Sequence, residues 1–183
     1  MSRDIPQALI AIEDHAFYNR GAIAVEGILR AALANINAGE VVQGGSTLTQ
    51  QFVKNVFLSH EQSMERKIEE AVLSLMLEDN YSKDEILELY LNTTYFGAGS
   101  TGIKQASRTY FGKAPSALTL AEAAVIASLP YAPTSLNPLE NPEGCKKRQL
   151  LVLAAMHKYG MINQGQLAEA KTEKIHLTNG TVM

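Results

Sequence analysis

Apolar positions recur along this chain at helical spacing, and strand-like alternation is nearly absent. Ile5, Leu9, Ile10, Ile12, Ala16 and Phe17 form one stripe at about 100° per residue. The pattern predicts helices near 5–18, 22–36, 47–58, 64–79, 83–92, 102–110, 119–128, 143–159 and 164–172. Helix-start signals support it. Asp4 with Gln7, Ser82 with Glu85, Thr119 with Glu122, and Asn163 with Gln166 are spaced as capping boxes, in which each side chain satisfies the other residue's backbone N–H. Pro6 sits in a first turn, Pro130 stops a helix, and Gly160 stands where a helix C-terminus wants a left-handed residue. The segments 37–45, 93–101 and 130–142 are rich in Gly, Asn, Pro and Thr and read as loops. The helix at 64–79 is apolar nearly all round, which predicts a central buried helix. The last ten residues read as a short strand or a tail. The fold class is all-α.

Composition narrows the function. The 183 residues fit one domain, and a 46% apolar content argues against disorder. Sixteen basic against 19 acidic residues leave a net charge of −3, so no whole-chain footprint for nucleic acid exists and any anion site must be local. The single cysteine, Cys145, excludes an internal disulfide and a cysteine metal cluster. The four histidines, His15, His60, His157 and His176, lack metal-ligand spacing. No apolar run reaches the ~18 residues of a membrane-spanning helix. Met1-Ser2-Arg3-Asp4 leads straight into amphipathic sequence, so no signal peptide is expected within the chain.

Some residues break the apolar pattern. Glu13 falls inside the first stripe, with Leu9, Ile10, Ala16 and Phe17 three and four positions away. None is basic. A carboxylate in apolar surroundings should have a raised pKa, which suits general acid–base work. The plainer reading is a Glu that reaches a backbone donor or a distant Arg. Asp14 lies on the adjoining polar face. In Gly44-Gly45-Ser46-Thr47-Leu48-Thr49-Gln50-Gln51, the glycines allow close backbone approach and Ser46 reads as an N-cap. The next helix begins with free N–H groups that suit an anion. Its polar face carries Thr47, Gln50, Gln51, Lys54 and Asn55, hydrogen-bonding groups fit for sugars or phosphates; an ordinary capped surface helix is the alternative. Arg66, Lys67 and Glu70 open the following helix, with Arg66 and Glu70 spaced to pair. They fit either a site for an anionic leaving group or a solvated helix end. The segment Asn92-Thr93-Thr94-Tyr95-Phe96-Gly97-Ala98-Gly99 reads as a sugar-groove lining or a tight connection.

Taken in order, these motifs resemble the peptidoglycan glycosyltransferase domain, glycosyltransferase family 51, of class A penicillin-binding proteins and monofunctional transglycosylases. Glu13-Asp14 with Phe17 resembles the family's first motif, and Gly44 to Gln51 the second. Arg66, Lys67 and Glu70 resemble the third. Ile86-Leu87-Glu88, Tyr90-Leu91-Asn92, Gly97, Gly102, Ala106 and Tyr110-Phe111-Gly112 resemble the fourth. Ala127 to Pro130, Ala132-Pro133 and Asn137-Pro138 resemble the fifth. The likeness spans about residues 5 to 162.

The resemblance implies a lysozyme-like, two-lobed all-α fold with a cleft between the lobes, the whole of 1–183 forming a single domain. It implies polymerisation of lipid II into β-1,4 glycan strands with release of undecaprenyl pyrophosphate. Glu13 would be the general base. Glu70 would act at the pyrophosphate, directly or through a divalent ion, Mg²⁺ or Mn²⁺. Lys54, Arg66 and Lys67 would neutralise the leaving group. Asp14, Phe17, Ser46, Thr47, Gln50, Gln51 and Asn92 would bind substrate. The implied partners are lipid II, the growing glycan, the bacterial membrane surface and other cell-wall synthesis proteins. The implied location is the outer face of the cytoplasmic membrane. The family's N-terminal anchor and any transpeptidase domain are expected to be missing from this chain.

The chain departs from the family pattern where His, Gly and Asp commonly follow the first motif's Phe; these positions read Arg20, Ala22 and Ala24. Gln62 stands where a basic residue is common. Glu13 and Glu70 are both kept, so the chemistry is expected to survive. The stretch Ala22–Val42, with Ile23, Val25, Ile28, Leu29, Ala32, Leu33 and Ile36, is expected either to touch the membrane or to pack in the core. Two other functions compete: a lysozyme-like glycan-cleaving enzyme and a non-catalytic lipid II-binding module. The first needs none of the cations; the second would be indifferent to Glu13→Gln.

Overall fold

The computed structural model describes residues 3–23, 46–58 and 63–183. Among these residues there are eight α-helices, three short 3₁₀ turns, two isolated β-bridges and no sheet. The helices are α1 (Asp4–Glu13), α2 (Leu48–Phe57), α3 (Met64–Asn80), α4 (Lys83–Thr93), α5 (Ile103–Phe111), α6 (Leu120–Ser128), α7 (Pro142–Lys158) and α8 (Gln164–Thr172). The all-α expectation holds. The helix predicted at 22–36, with most of the Ala22–Val42 stretch, and Gly44, Gly45 and Gln62 lie outside the described residues. The chain forms two compact units, Met1–His15 with Leu91–Met183, and Ala16–Tyr90.

The first unit is built on α6. Its sequence is almost wholly Ala, Val, Leu and Ile, and Ala121 to Ser128 are all buried. α1 and α7 pack on it and on each other. α1 contributes Ile5, Ala8, Leu9, Ile10 and Ala11 to this core. Each fully buried Leu or Ile stabilises the unit by about 1.5–3 kcal/mol. α1 is shorter than its apolar stripe predicts. It stops at Glu13 because Asp14 leaves the helical region at φ −157, ψ 70, and the chain re-forms only as a 3₁₀ turn at Phe17–Asn19. Its start differs too: the cap residue is Arg3, and Asp4 lies inside the first turn, so Asp4 and Gln7 form no capping box.

The other predicted boxes are present. Thr119 with Glu122, and Asn163 with Gln166, are reciprocal. Ser82 and Glu85 exchange bonds of 2.8 Å and 3.3 Å. Gly160, at φ +72, ends α7 with bonds from Gly160 N–H to His157 O and from Met161 N–H to Met156 O, the Schellman pattern. Between α4 and α5 the chain turns back on itself, closed by Phe96 N–H to Ser100 O at 2.8 Å. Gly97 is required there: its φ is +86, and a Cβ would sit 2.3 Å from the Pro133 carbonyl oxygen. The C-terminal residues fold back within this unit. Ile175 and Met183 exchange backbone bonds, Ile175 and Leu177 are buried, and Thr178 N–H reaches the Tyr110 carbonyl.

The second unit corrects a prediction. α3 is not the buried central helix. Ile68 (61%), Val72 (50%), Leu75 (50%) and Met76 (57%) are exposed, whereas Glu70 and Ser74 are buried. An all-round apolar helix does not announce which face turns inward; here the small and polar face does, because its groups find partners. The helix buried almost throughout is α6. The core of the second unit comes from Phe17, Leu48, Phe52, Val53, Ile86, Leu87 and Tyr90. α2 packs on α3. Its cap is Thr47, not Ser46: Thr47 Oγ1 accepts from Gln50 N–H at 3.0 Å, and Gln50 Oε1 accepts from Thr47 N–H at 3.1 Å.

Candidate functional site

Each unit carries one group of chemistry-bearing residues. In the second unit the group centres on Glu70, nearly two turns into α3 and 1% exposed. Its carboxylate accepts from Gln50 Nε2 at 3.2 Å, from Arg66 Nη1 at 3.5 Å and from Lys67 Nζ. Lys67 Nζ also donates to Ser46 Oγ at 3.1 Å. The local reason is helical geometry. Arg66 and Lys67 lie four and three residues before Glu70, on its own side of α3. Ser63 caps that helix through Arg66 N–H at 3.1 Å, which fixes where the first turn starts. Two cations and one carboxylate leave the cluster one net positive charge. Lys67 is 39% exposed and Arg66 16%, so part of that charge faces solvent. A buried carboxylate that holds two partly exposed cations in place is an arrangement suited to an incoming anion.

The neighbouring predicted residues are held tightly. Thr47 Oγ1 donates to the Ala22 carbonyl at 2.7 Å, tying the segment after the 3₁₀ turn to the start of α2. Gln51 accepts from the Tyr90 hydroxyl at 3.1 Å. Thr49 donates to Glu78 at 2.5 Å, and Lys83 donates to the same carboxylate at 2.6 Å. Phe17 is fully buried, with the Lys83 ammonium 4.6 Å above its ring, so it supports the turn from inside. Tyr18 donates to Asp84 at 2.7 Å; burial and that carboxylate push its hydroxyl up to about 12. Lys54 is exposed near the end of α2.

In the first unit, Glu13 is the last residue of α1 and is 13% exposed. Arg148 on α7 brings Nη2 to 3.8 Å from Glu13 Oε1. The distant arginine of the plainer reading is therefore present, and the wholly apolar setting expected for Glu13 is corrected. Asp14 is 1% exposed, and its backbone N–H closes α1 onto Ile10 O at 3.0 Å. His15 stacks on Tyr159 with ring centroids 4.3 Å apart. Asn92, near the end of α4, is exposed. Cys145 is buried and its thiol is pushed up to about 11 by burial, so it is no nucleophile.

The sequence reading missed Arg148 and Tyr131. Arg148 follows Lys146 and Lys147 and reads as part of a solvated basic run. Tyr131 adjoins Pro130 and reads as loop. Only the packing of α1 on α7 brings Arg148 to Glu13.

The donor set around Glu70 does not fit a divalent ion held by the protein alone. Both carboxylate oxygens already face Arg66, Lys67 or Gln50. Among the described residues no group of three or more His, Cys, Asp or Glu is placed to hold a metal. Among the same residues, no helix is long and apolar enough to cross a membrane.

Comparison with known proteins agrees with these motifs. Residues 1–157 match the family described as Transglycosylase. Penicillin-binding protein 1A of Neisseria flavescens is 46% identical over 172 residues, which are 94% of this chain and 22% of that protein. A Cupriavidus necator protein that carries a transglycosylase name is 43% identical over 175 residues, covering 96% of this chain and 75% of its own length. The crystal structure of penicillin-binding protein 1A from Haemophilus influenzae superposes with a TM-score of 0.52 at 34% identity, covering 72% of this chain and 16% of that one. The chain thus spans about a quarter or less of the penicillin-binding relatives it resembles.

Proposed function

This chain belongs to the transglycosylase family, and from that membership we propose that it is a peptidoglycan glycosyltransferase acting on lipid II. In this reading the 4-hydroxyl of an acceptor sugar attacks the anomeric carbon of a lipid-linked donor. The new bond is a β-1,4 glycosidic bond. The bond that breaks joins the anomeric carbon to the pyrophosphate of the undecaprenyl carrier. Glu13 takes the proton from the attacking hydroxyl. The pyrophosphate leaves with the extra negative charge, and Arg66, Lys67 and Lys54 stabilise it as it forms. Glu70, itself held by the Gln50 amide, keeps the two α3 cations in position, so little reorganisation is needed as charge develops. Ser46 and Gln51 contribute hydrogen-bonding groups at the same end of α2. The reaction takes place at the outer face of the bacterial cytoplasmic membrane, where lipid II and the growing glycan are found.

The observation that carries this reading is the buried Glu70 with its two cations. A glycan-cleaving enzyme on a lysozyme-like fold releases no pyrophosphate and needs no such cluster.

The test is incubation of the purified chain with lipid II in detergent, with products resolved by length. Polymeric glycan should form. Glu13→Gln should lower the rate by about 10²–10⁴-fold, the usual contribution of a general base. Lipid II binding without turnover in the parent chain would favour a binding module instead. Shortening of purified glycan strands would favour a hydrolase.

A further inference from the structure

We propose that Arg148 is a positioning residue for Glu13 and that Tyr131 holds Arg148 in place. The inference rests on the assignment of Glu13 as general base. Glu13 ends α1, and Asp14 beyond it is already out of helical geometry. A side chain there lacks the next helical turn to restrict it. The helix C-terminus also carries partial negative charge, an unfavourable place for a carboxylate. A general base has to stand within hydrogen-bond reach of the proton it removes. Some group must therefore fix Glu13 and offset the field.

Arg148 does both. Its Nη2 lies 3.8 Å from Glu13 Oε1, with the two side chains 20% and 13% exposed. That separation is an ion pair, not a bidentate hydrogen-bonded clamp, so the cation orients the carboxylate without forming a two-bond lock. Arg148 is itself fixed. Its guanidinium carbon lies 4.1 Å from the centre of the Tyr131 ring. Tyr131 sits in the 3₁₀ turn Leu129–Tyr131, directly after α6, whose residues Ala121 to Ser128 are all buried, so the ring is mounted at the end of the core helix. A guanidinium can stack by its face and meet a carboxylate by its edge; an ammonium cannot do both. The three side chains form one line: Tyr131, Arg148, Glu13.

Steady-state kinetics of lipid II polymerisation test this on the full chain. Arg148→Met should lower kcat by about a hundredfold, the cost of misplacing a reacting group by about 1 Å, with KM unchanged. Arg148→Lys should recover only part of the loss. Tyr131→Ala, at a position 68% exposed and so harmless to folding, should lower kcat less and again spare KM. Tyr131→Phe, which keeps the ring, should recover most of what Tyr131→Ala loses. Normal kcat in folded Arg148→Met, or a change confined to KM, overturns the proposal. If Arg148→Met does not fold, Tyr131→Ala and Tyr131→Phe decide: equal kcat in both and in the parent overturns it. Glu13→Gln runs alongside. An active Glu13→Gln enzyme sinks the assignment of the base itself, whereas an inactive one beside a normal Arg148→Met sinks only the positioning role.

Discussion

Glu70 is the residue on which the second unit's chemistry and stability meet. Glu70→Ala leaves Arg66 and Lys67 facing each other without their shared anion. The loss should be about 1–3 kcal/mol, below the 3–5 of fully buried pairs because Lys67 is 39% exposed. Urea denaturation checks it, and an unchanged midpoint would mean that solvent already screens the cluster. Tyr18 gives a pH signature. Burial, the bond to Asp84 and its charge raise the hydroxyl from 10.0 to about 12. The folded chain keeps this proton where the unfolded chain has lost it. Its contribution to stability is therefore full below about pH 10 and is lost as pH rises toward 12. Ultraviolet titration of Tyr18→Phe should lack one late-ionising phenol; a curve that loses an ordinary phenol near pH 10 would contradict the assignment. At this scale the sequence was readable where partners are close along the chain. Arg66 and Glu70 are four residues apart, and their pairing follows from helix geometry alone. Glu13 and Arg148 meet only through tertiary packing, which no spacing rule reports.

Elements were legible for the same reason. A capping box is written in two residues three apart, and those at Ser82, Thr119 and Asn163 formed as spaced. The cap of α2 was misplaced by one residue although the signal existed: Thr47, not Ser46, has Gln three positions on. Thr119→Ala should cost about 0.5–2 kcal/mol, the usual worth of an N-cap. The larger figure is expected, since the same hydroxyl donates to Glu173 at 2.7 Å. Thermal unfolding of Thr119→Ala beside Glu173→Gln separates the two contributions. Gly97→Ala should be worse, at more than about 2 kcal/mol, because positive φ and a Cβ inside contact distance of the Pro133 carbonyl act together. A chemical-denaturation midpoint within error of the parent would show that the turn can open. What stayed hidden was burial. α3 looks buried by composition, yet it keeps Ile68 and Met76 outside and turns Glu70 inward, because the inward face offered Glu70 charged and amide partners.

For the whole molecule, the decisive feature is that the first unit is discontinuous in sequence. Met1–His15 joins a core otherwise made from Leu91 onward, while Ala16–Tyr90 is continuous. Cys145, fully buried in the first unit, reports on that core. At pH 8 it should react with thiol reagents only as fast as the unit opens. Removing residues 1–13 takes Ile5, Leu9 and Ile10 from α6 and α7 and should expose the thiol at once; continued protection would mean that the unit closes without α1. The same discontinuity sets an order of events during synthesis. α1 is made before its packing partners, α6 and α7. At about 5–20 residues per second, the wait is on the order of ten seconds. Through that interval the stripe of Ile5, Leu9 and Ile10 has no native surface to cover it, and the continuous unit is complete while the other is still a loose end. The nascent chain thus carries a short apolar segment whose native partners do not yet exist, and at ten residues it is too short to hold its helix alone.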